Sequence, residues 1–186
     1  MLIRRETSDD HAAIAKVHRD AFADLRSRDV SQVGEVGLVA ALRDSDAWLP
    51  GLALVAEFAG HVVGHVCLTR AQVRTPVGDV VPVLALGPIG VLTAQQGNGV
   101  GSALIHAALG GADALGEQLV ALVGHADYYP NFGFQSGAQV GIVPDLDDWA
   151  EDFQVRMLDA YAGLVGVFRY ASPFYVFGLR RVSEDQ

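Results

Sequence analysis

Hydrophobic residues recur along this chain with two different periods, and the changes of period divide it into predicted strands and helices. Residues Leu2–Arg5 predict a short first strand. Apolar positions from Ile14 to Phe22 then follow helical spacing, and Thr7 or Ser8 is placed to cap the start of that helix. Further along, Val80–Val91 is almost wholly apolar, which favours a central strand buried on both faces.

Proline and glycine interrupt this apolar strand. Pro82 and Pro88 have no N–H to donate to a strand ladder, so we expect a bulge or an end of pairing at Gly87–Gly90. The patterns as a whole predict one α+β domain over residues 1–186, with a mixed, mostly antiparallel central sheet flanked by helices. The other predicted elements are helices over Val36–Leu42 and Gly99–Leu115, strands over Leu52–Phe58, Val62–Arg74, Leu119–Val123, Phe153–Leu158 and Val167–Tyr170, helical turns over Tyr128–Phe132, and loops over Asp44–Gly51 and Pro144–Asp152.

Composition and charge narrow the class of protein. The 186 residues are 51% hydrophobic and 19% charged, which is typical of a globular domain with a sizeable core. The net charge of -9 argues against a nucleic-acid partner and is compatible with a cationic substrate. Cys67 is the single cysteine, which excludes an intramolecular disulfide and a cysteine zinc site, and its apolar neighbours predict a core thiol.

The chain shows no pattern typical of a targeting or membrane segment. Its N-terminal residues reach Asp9 too soon for the apolar region of a signal peptide. No uninterrupted apolar run has the length of a membrane span. We therefore expect a cytoplasmic protein without a membrane partner.

The candidate chemistry is concentrated in a glycine-rich loop, Gln96–Ser102, between an apolar strand and a helix. Glycine adopts backbone conformations that turn successive N–H groups toward one point. The helix that follows adds its own unpaired N–H groups and the positive end of its dipole. This arrangement predicts a site for a phosphate or a pyrophosphate.

Two other interpretations of the loop stay open. A Rossmann dinucleotide site requires a glycine where Ser102 stands and an acidic residue at the end of the next strand, whereas that strand ends at Val123 and Glu117 precedes it. A purely structural glycine turn is the second alternative. The loop is not a Walker A motif, since no Lys-Ser or Lys-Thr pair follows the glycines.

Three motifs in order resemble the GNAT superfamily of acyl-CoA-dependent N-acetyltransferases. Gln96–Gly101 fits its Q/R-x-x-G-x-G/A loop, Leu86–Val91 is similar to its bulged fourth strand, and Tyr128–Phe134 is similar to its F/Y-Y-x-x-x-G-F signature. The resemblance covers residues 2 to about 134. The later segment Phe153–Tyr170 is similar to the YhbS-like branch of predicted acetyltransferases.

The resemblance implies an enzyme that moves an acetyl group from acetyl-CoA to a primary amine by direct transfer within a ternary complex. No metal is expected, because the histidines do not cluster at metal-ligand spacing. The N–H groups of the loop would cradle the pyrophosphate of coenzyme A. Backbone groups left free at the strand break would pair with the pantetheine arm, and one of these N–H groups would stabilise the oxyanion. Asn131 either contacts the cofactor or caps a turn. The cofactor-binding residues expected are Ile89, Gly90, Val91, Gln96, Gly97, Asn98, Gly99, Val100, Gly101, Ser102 and Asn131.

The resemblance also assigns a general acid but leaves the base open. Tyr129 is expected to protonate the departing thiolate, because a phenol holds its proton at neutral pH. Many family members deprotonate the amine with a glutamate on the fourth strand, but Val80–Val91 contains no carboxylate. Glu35, His65 and His125 are candidates by residue type. The other histidines, His11, His18, His61 and His106, are expected on the surface or on a helix face.

The sequence does not name the acceptor, which is expected to be a small molecule or a peptide amine. The acidic run of Pro144–Asp152 is expected to be solvated surface or, alternatively, to attract a cationic substrate. The superfamily often dimerises, so the resemblance implies a homodimer as one expected assembly. Two other functions stay open: an acyl-CoA-binding sensor without efficient catalysis, which the missing carboxylate motivates, and an oxidoreductase with a nicotinamide cofactor.

Overall fold

The structure is a computed structural model that describes residues 1–23 and 34–177. No helix within these ranges is both long and apolar enough to cross a membrane. The strands are β1 Leu2–Arg5, β2 Trp48–Phe58, β3 His61–Arg74, β4 Val80–Val91, β5 Leu119–Val123, β6 Gln135–Ser136, β7 Ile142–Pro144, β8 Phe153–Met157 and β9 Gly166–Arg169, and the helices are α1 His11–Ala21, α2 Gly34–Arg43, α3 Val100–Ala114 and α4 Ser172–Phe177.

The described strands belong to one nine-stranded sheet, with the order β1-β2-β3-β4-β5-β8-β6 and with β9 pairing with β3 and β7. Among the described ladders, only the β4–β5 and β7–β9 pairs are parallel, so the predicted mixed, mostly antiparallel α+β sheet is confirmed. The chain divides into two compact units, Met1–Thr69 with Leu86–Gly111 and Arg70–Ala85 with Ala112–Gln186. Strands β3 and β4 contribute residues to both units.

Several predicted boundaries were wrong. β2 begins at Trp48 rather than at Leu52. The last residues of the expected loop belong to this strand, and its register with β3 shifts between the pairs at Trp48 and Ala53. The strands β6 and β7 and the helix α4 were not predicted, since segments of two, three and six residues are too short to show a period. The predicted loop over Pro144–Asp152 contains the last residue of β7 and a short 3₁₀ helix, Asp147–Trp149.

The core of the first unit lies between helices and the sheet. Ile14 of α1, Val39 of α2 and Val55 of β2 form one buried cluster. Burying an aliphatic side chain of this size stabilises a fold by roughly 1.5–3 kcal/mol. On β3, a Cβ at Gly64 would lie 2.9 Å from Leu104 Cδ1 of α3. The absence of a side chain at Gly64 therefore lets α3 pack closely against the strand.

Aromatic side chains form the core of the second unit. The rings of Phe153 and Phe168 have centroids 5.2 Å apart, and Tyr170 lies 4.8 Å from Phe168 and 4.7 Å from Phe174. Trp149 meets Tyr170 edge-on at 5.3 Å. Because Phe174 is fully buried, it anchors the short helix α4 to this core.

The predicted interruption of β4 is confirmed. β4 pairs with β5 only through Leu84↔Val120 and Ala85↔Ala121. Two residues later, Gly87 has a φ of +140°, a conformation that residues with a side chain rarely adopt. The parallel ladder therefore ends at Ala85, upstream of the segment that was expected to meet a cofactor.

Candidate active site

The glycine-rich loop is an exposed turn that leads directly into α3. Gly97 and Gly99 have φ angles of +72° and +78°, and a Cβ at either position would meet nothing within 4 Å. Glycine is therefore favoured here by the backbone conformation and not by crowding. The first backbone hydrogen bond of the helix is donated by Ala103 N to Gly99 O at 3.0 Å. The N–H groups of Val100 and the next residues precede that bond, so they are available to an anion.

Hydrogen bonds tie this loop to the end of β4 and tie the segment just before the loop to α1. Gln96 Nε2 donates to Val91 O at 3.1 Å, and Thr93 N donates to the Asp20 carboxylate at 2.6 Å. The Thr93 N–H lowers the pKa of Asp20, because it stabilises the ionised form. The predicted cofactor residues of β4 and of the loop are thus held in one region of the first unit.

Tyr129 and Asn131 belong to the second unit, where they lie in a short 3₁₀ helix. The Tyr129 ring packs over Gly124 and edge-on against Tyr128 and Phe134, at centroid distances of 5.2 and 5.7 Å. Burial, with a smaller effect of Tyr128, raises the pKa of Tyr129 to about 12, so the phenol holds its proton at neutral pH. Asn131 Nδ2 donates to Tyr128 O at 2.9 Å and caps this turn, while its contact with a cofactor stays a prediction.

Cys67 is a core thiol, as expected. Its side chain is fully buried, and Sγ donates a hydrogen bond to Gly87 O at 3.2 Å. Burial raises the pKa of this thiol well above its ordinary value. A buried, protonated thiol is a poor nucleophile, so the arrangement disfavours an acyl-enzyme intermediate on Cys67.

His18 was expected on the surface or on a helix face, and it lies on the buried face of α1, with its side chain 0% exposed. Its Nε2 lies 2.8 Å from His65 Nδ1, and His65 Nε2 lies 3.0 Å from Glu6 Oε2. Arg43 completes the chain by donating from Nε to Glu6 Oε1 at 2.8 Å. The only sequence signal was that His18 shares the apolar helical spacing of Ile14, and spacing does not reveal a partner on another element.

Charge and burial set the protonation of this chain. Burial alone would raise the pKa of Glu6, but hydrogen bonds from His65 and Arg43 outweigh it and lower that pKa to about 2. Burial lowers the pKa of His65 despite the hydrogen bond to Glu6, and burial lowers the pKa of His18 further. At neutral pH the Glu6 carboxylate is therefore ionised and both imidazoles are neutral.

The other candidate bases lie in more open surroundings. Glu35 is half-buried in the first turn of α2, and His125 is exposed just beyond the end of β5. Their catalytic role stays a prediction. The remaining histidines, His11, His61 and His106, are exposed, as expected.

The acidic run lies mainly on the surface. Asp145 accepts a hydrogen bond from the Tyr175 hydroxyl at 2.8 Å and lies 3.7 Å from Arg169 Nε. This carboxylate is therefore already paired, which disfavours a role for that residue in attracting a cationic substrate. Within the two described ranges, no group of three or more histidine, cysteine or acidic residues is arranged to hold a metal ion.

The amino-acid sequence is similar to a known protein family and to a protein of Escherichia coli. Residues 2–137 match the family model of the acetyltransferase (GNAT) domain. The chain is 35% identical over 117 residues to the uncharacterized N-acetyltransferase YjhQ of Escherichia coli K12, a match that covers 61% of this chain and 64% of YjhQ. The matched part is thus just under two thirds of that relative's length.

Two solved structures are similar over almost the full length. One is a GNAT family acetyltransferase from Brucella melitensis in complex with acetyl-CoA, 31% identical, with 93% of this chain and 97% of that chain covered and a TM-score of 0.73. The other is the GNAT family N-acetyltransferase YhbS from Escherichia coli in complex with CoA, 28% identical, with 96% and 93% covered and a TM-score of 0.81. Because the family model matches well over half of its residues, this chain belongs to the GNAT acetyltransferase family.

Proposed function

We propose that this protein is an N-acyltransferase that moves the acetyl group of acetyl-CoA to a primary amine by direct transfer in a ternary complex. The observation that carries the proposal is an open turn of positive-φ glycines at the start of α3, hydrogen-bonded to the end of β4. Family membership and the acetyl-CoA and CoA complexes of the two similar proteins support this choice of ligand.

The roles of the binding residues follow from the backbone. The N–H groups from Gly97 to Ser102 cradle the pyrophosphate at the positive end of α3. Ile89 and Val91 lie beyond the end of the β4–β5 ladder, so they offer N–H and C=O groups to the amides of pantetheine. One N–H of this segment stabilises the oxyanion, and losing such a donor costs roughly 10² to 10³ in rate.

The departing thiolate takes its proton from Tyr129, whose raised pKa keeps the phenol protonated. The acceptor is a small molecule or a peptide amine. We propose that residues 1–186 act as one catalytic domain in the cytoplasm, where a lone free thiol such as Cys67 stays reduced, and that a homodimer is the assembly to look for.

The first experiment is a thermal melt with acetyl-CoA, with CoA and with NAD at matched millimolar concentration. A ligand at 100 times its Kd stabilises a protein by roughly 2.7 kcal/mol. Each kcal/mol raises the Tm of a domain of this size by about 2–4 °C. A shift of several degrees with both CoA species and none with NAD is expected, whereas a shift with NAD alone would overturn the ligand assignment.

The second experiment measures the release of free CoA thiol with a panel of primary amines. Thiol release above the rate without amine is the expected result. Binding of acetyl-CoA without thiol release for any amine would instead favour an acyl-CoA sensor of the same fold.

A further inference from the structure

A buried chain of polar side chains runs from Arg43 through Glu6 and His65 to His18, all within the first unit. The side chains of His18 and His65 are 0% exposed. Buried polar groups of this kind cost free energy unless each finds a partner, so every unpaired atom in the chain requires a physical explanation.

The tautomers along this chain follow from the charge of Glu6. An ionised carboxylate only accepts hydrogen bonds, so His65 Nε2 must carry the proton that points at Glu6 Oε2. The neutral His65 ring then has a lone pair on Nδ1, and His18 Nε2 must donate to it. The proton of neutral His18 is thereby placed on Nε2, and its Nδ1 carries a lone pair.

That lone pair has no partner among the described residues. His18 Nδ1 is fully buried and makes no hydrogen bond there, which is unfavourable for a buried acceptor. It lies against Gly90 of β4: a Cβ at Gly90 would be only 3.1 Å from Nδ1. The acceptor atom therefore lies beside the middle of the segment Ile89–Val91, which we propose to hold the pantetheine arm and the thioester.

We propose that His18 Nδ1 is the base that takes the proton from the attacking amine, in place of the carboxylate that β4 lacks. This assignment rests on the proposed transferase function. The amine nitrogen forms the C–N bond, the C–S bond breaks, and the amine proton passes to Nδ1 directly or through one water. The CoA sulfur leaves with the bonding electrons and takes a proton from Tyr129, so the products are the amide and the thiol.

The rest of the chain holds the His18 imidazolium that this step creates. His18 Nε2–H stays bonded to His65, and His65 is oriented by the Glu6 carboxylate, which lies in turn against Arg43. Two other ionisable groups lie near the chain. His11 Nε2 is 3.6 Å from Glu6 Oε1, and Asp10, which is paired with Arg4, interacts electrostatically with His65. Both nitrogens of His65 are already engaged, so His65 positions the base and does not itself meet the amine.

The test is His18→Gln, because a glutamine amide can keep the hydrogen bond to His65 while the Nδ1 lone pair is removed. The substrates are acetyl-CoA and the amine that gives thiol release with the wild-type protein. We expect kcat to fall about a hundredfold or more, with the affinity for acetyl-CoA changed less than about threefold. The matched control is His61→Gln, the same substitution at an exposed histidine of β3 that has no assigned role, which should retain kcat within about twofold.

The pH profile separates a base from a structural residue. The pKa of His18 is lowered, so in the wild-type protein kcat should fall only as pH drops below about 6.5, and this acid limb should be absent in His18→Gln. A folded His18→Gln protein with the wild-type kcat and acid limb would overturn the assignment.

Two further readouts guard against misfolding and against an inactive protein. Gly90→Ala should lower kcat without abolishing CoA binding, because its methyl group would lie 3.1 Å from Nδ1 while the backbone stays in place. Imidazole NMR of the wild-type protein should show His18 Nδ1 unprotonated, and a proton on that atom in the free protein would overturn the assignment by itself. If the wild-type protein transfers the acetyl group to none of the amines, the proposed function is overturned. That measurement uses no His18 variant, so it is separate from the test of His18.

Discussion

The glycine-rich loop and the Glu6–His65–His18 chain both belong to the first unit, but they obtain their polar atoms in opposite ways. The loop Gln96–Ser102 offers backbone N–H groups of consecutive residues at the surface. The buried chain assembles side chains that come from the end of β1, from β3 and from α1. A site made of backbone groups depends on local conformation. A hydrogen-bonded series of side chains from three elements forms only after those elements have packed together.

The two regions should therefore respond differently to substitution. An added side chain in the loop meets open space, so its cost to the fold comes from the positive-φ backbone alone, whereas it would occupy the place of the ligand. In the buried chain each side chain satisfies the next, so removing one leaves another without a partner in a medium of low dielectric constant. We expect ligand affinity to report on the loop and stability to report on the buried chain.

The largest expected effect is on stability, from Glu6→Gln. This change removes the carboxylate that Arg43 and His65 share, and breaking a buried ion pair costs on the order of 3 kcal/mol. The matched control is Glu57→Gln on β2, whose carboxylate pairs with Arg4 at 2.9 Å but is 28% exposed, and which should cost about 1 kcal/mol or less. Urea unfolding measures both, and equal losses would contradict the contrast between buried and surface pairing.

The next effect is on affinity, from Gly99→Asp. A carboxylate here places a like charge and a side chain where the pyrophosphate is expected, so affinity for acetyl-CoA should fall at least about a hundredfold. Gly60→Asp, in the β2–β3 turn, has the same φ of +78° and the same open surroundings, so it controls for the backbone cost. Gly99→Asn separates charge from size. Unchanged affinity in a folded Gly99→Asp protein, by calorimetry, would show that the loop is a structural turn.

A smaller effect is expected from Tyr129→Phe, which tests a side chain of the second unit. Removing the hydroxyl should lower turnover about ten- to a hundredfold and leave acetyl-CoA affinity within about twofold, because the ring still packs over Gly124. Tyr128→Phe is the matched control, since the neighbouring ring is 39% exposed and has no assigned role. Steady-state thiol release decides between them, and an unaltered rate for Tyr129→Phe would remove this phenol from the mechanism.

The smallest effect is a dependence of stability on pH. His18 and His65 have folded pKa values below their ordinary 6.5, so the unfolded chain binds more protons below that pH and stability should decline as pH falls through it. Glu6, with a pKa lowered from 4.5 to about 2, adds a second loss as pH falls through that window. Urea midpoints measured from about pH 8 downward should fall more steeply for the wild-type protein than for His18→Gln, and parallel slopes would contradict the buried, neutral state of His18.

Much of the fold was predictable because its longer elements carry clear periods. β1, β4 and β5 have the predicted bounds, and the break in the β4–β5 ladder follows from glycine and proline chemistry alone. The irregular start of β2 and the short strands β6 and β7 were not predictable, because pairing with distant strands and not a local pattern decides them.

The candidate site likewise has a part that the sequence predicts and a part that it does not. The sequence alone determined the glycine turn and the family motifs, because a positive-φ turn before a helix is specified by residues that are neighbours in the chain. His65 was one of several candidate bases by residue type, and His18 was expected on the surface or on a helix face. Only the tertiary structure decided that α1, β3 and the end of β1 bring these imidazoles to Glu6, and that Gly90 leaves the last nitrogen without a partner. The reason is physical: hydrogen bonds between side chains far apart in sequence depend on packing, and no local preference encodes them.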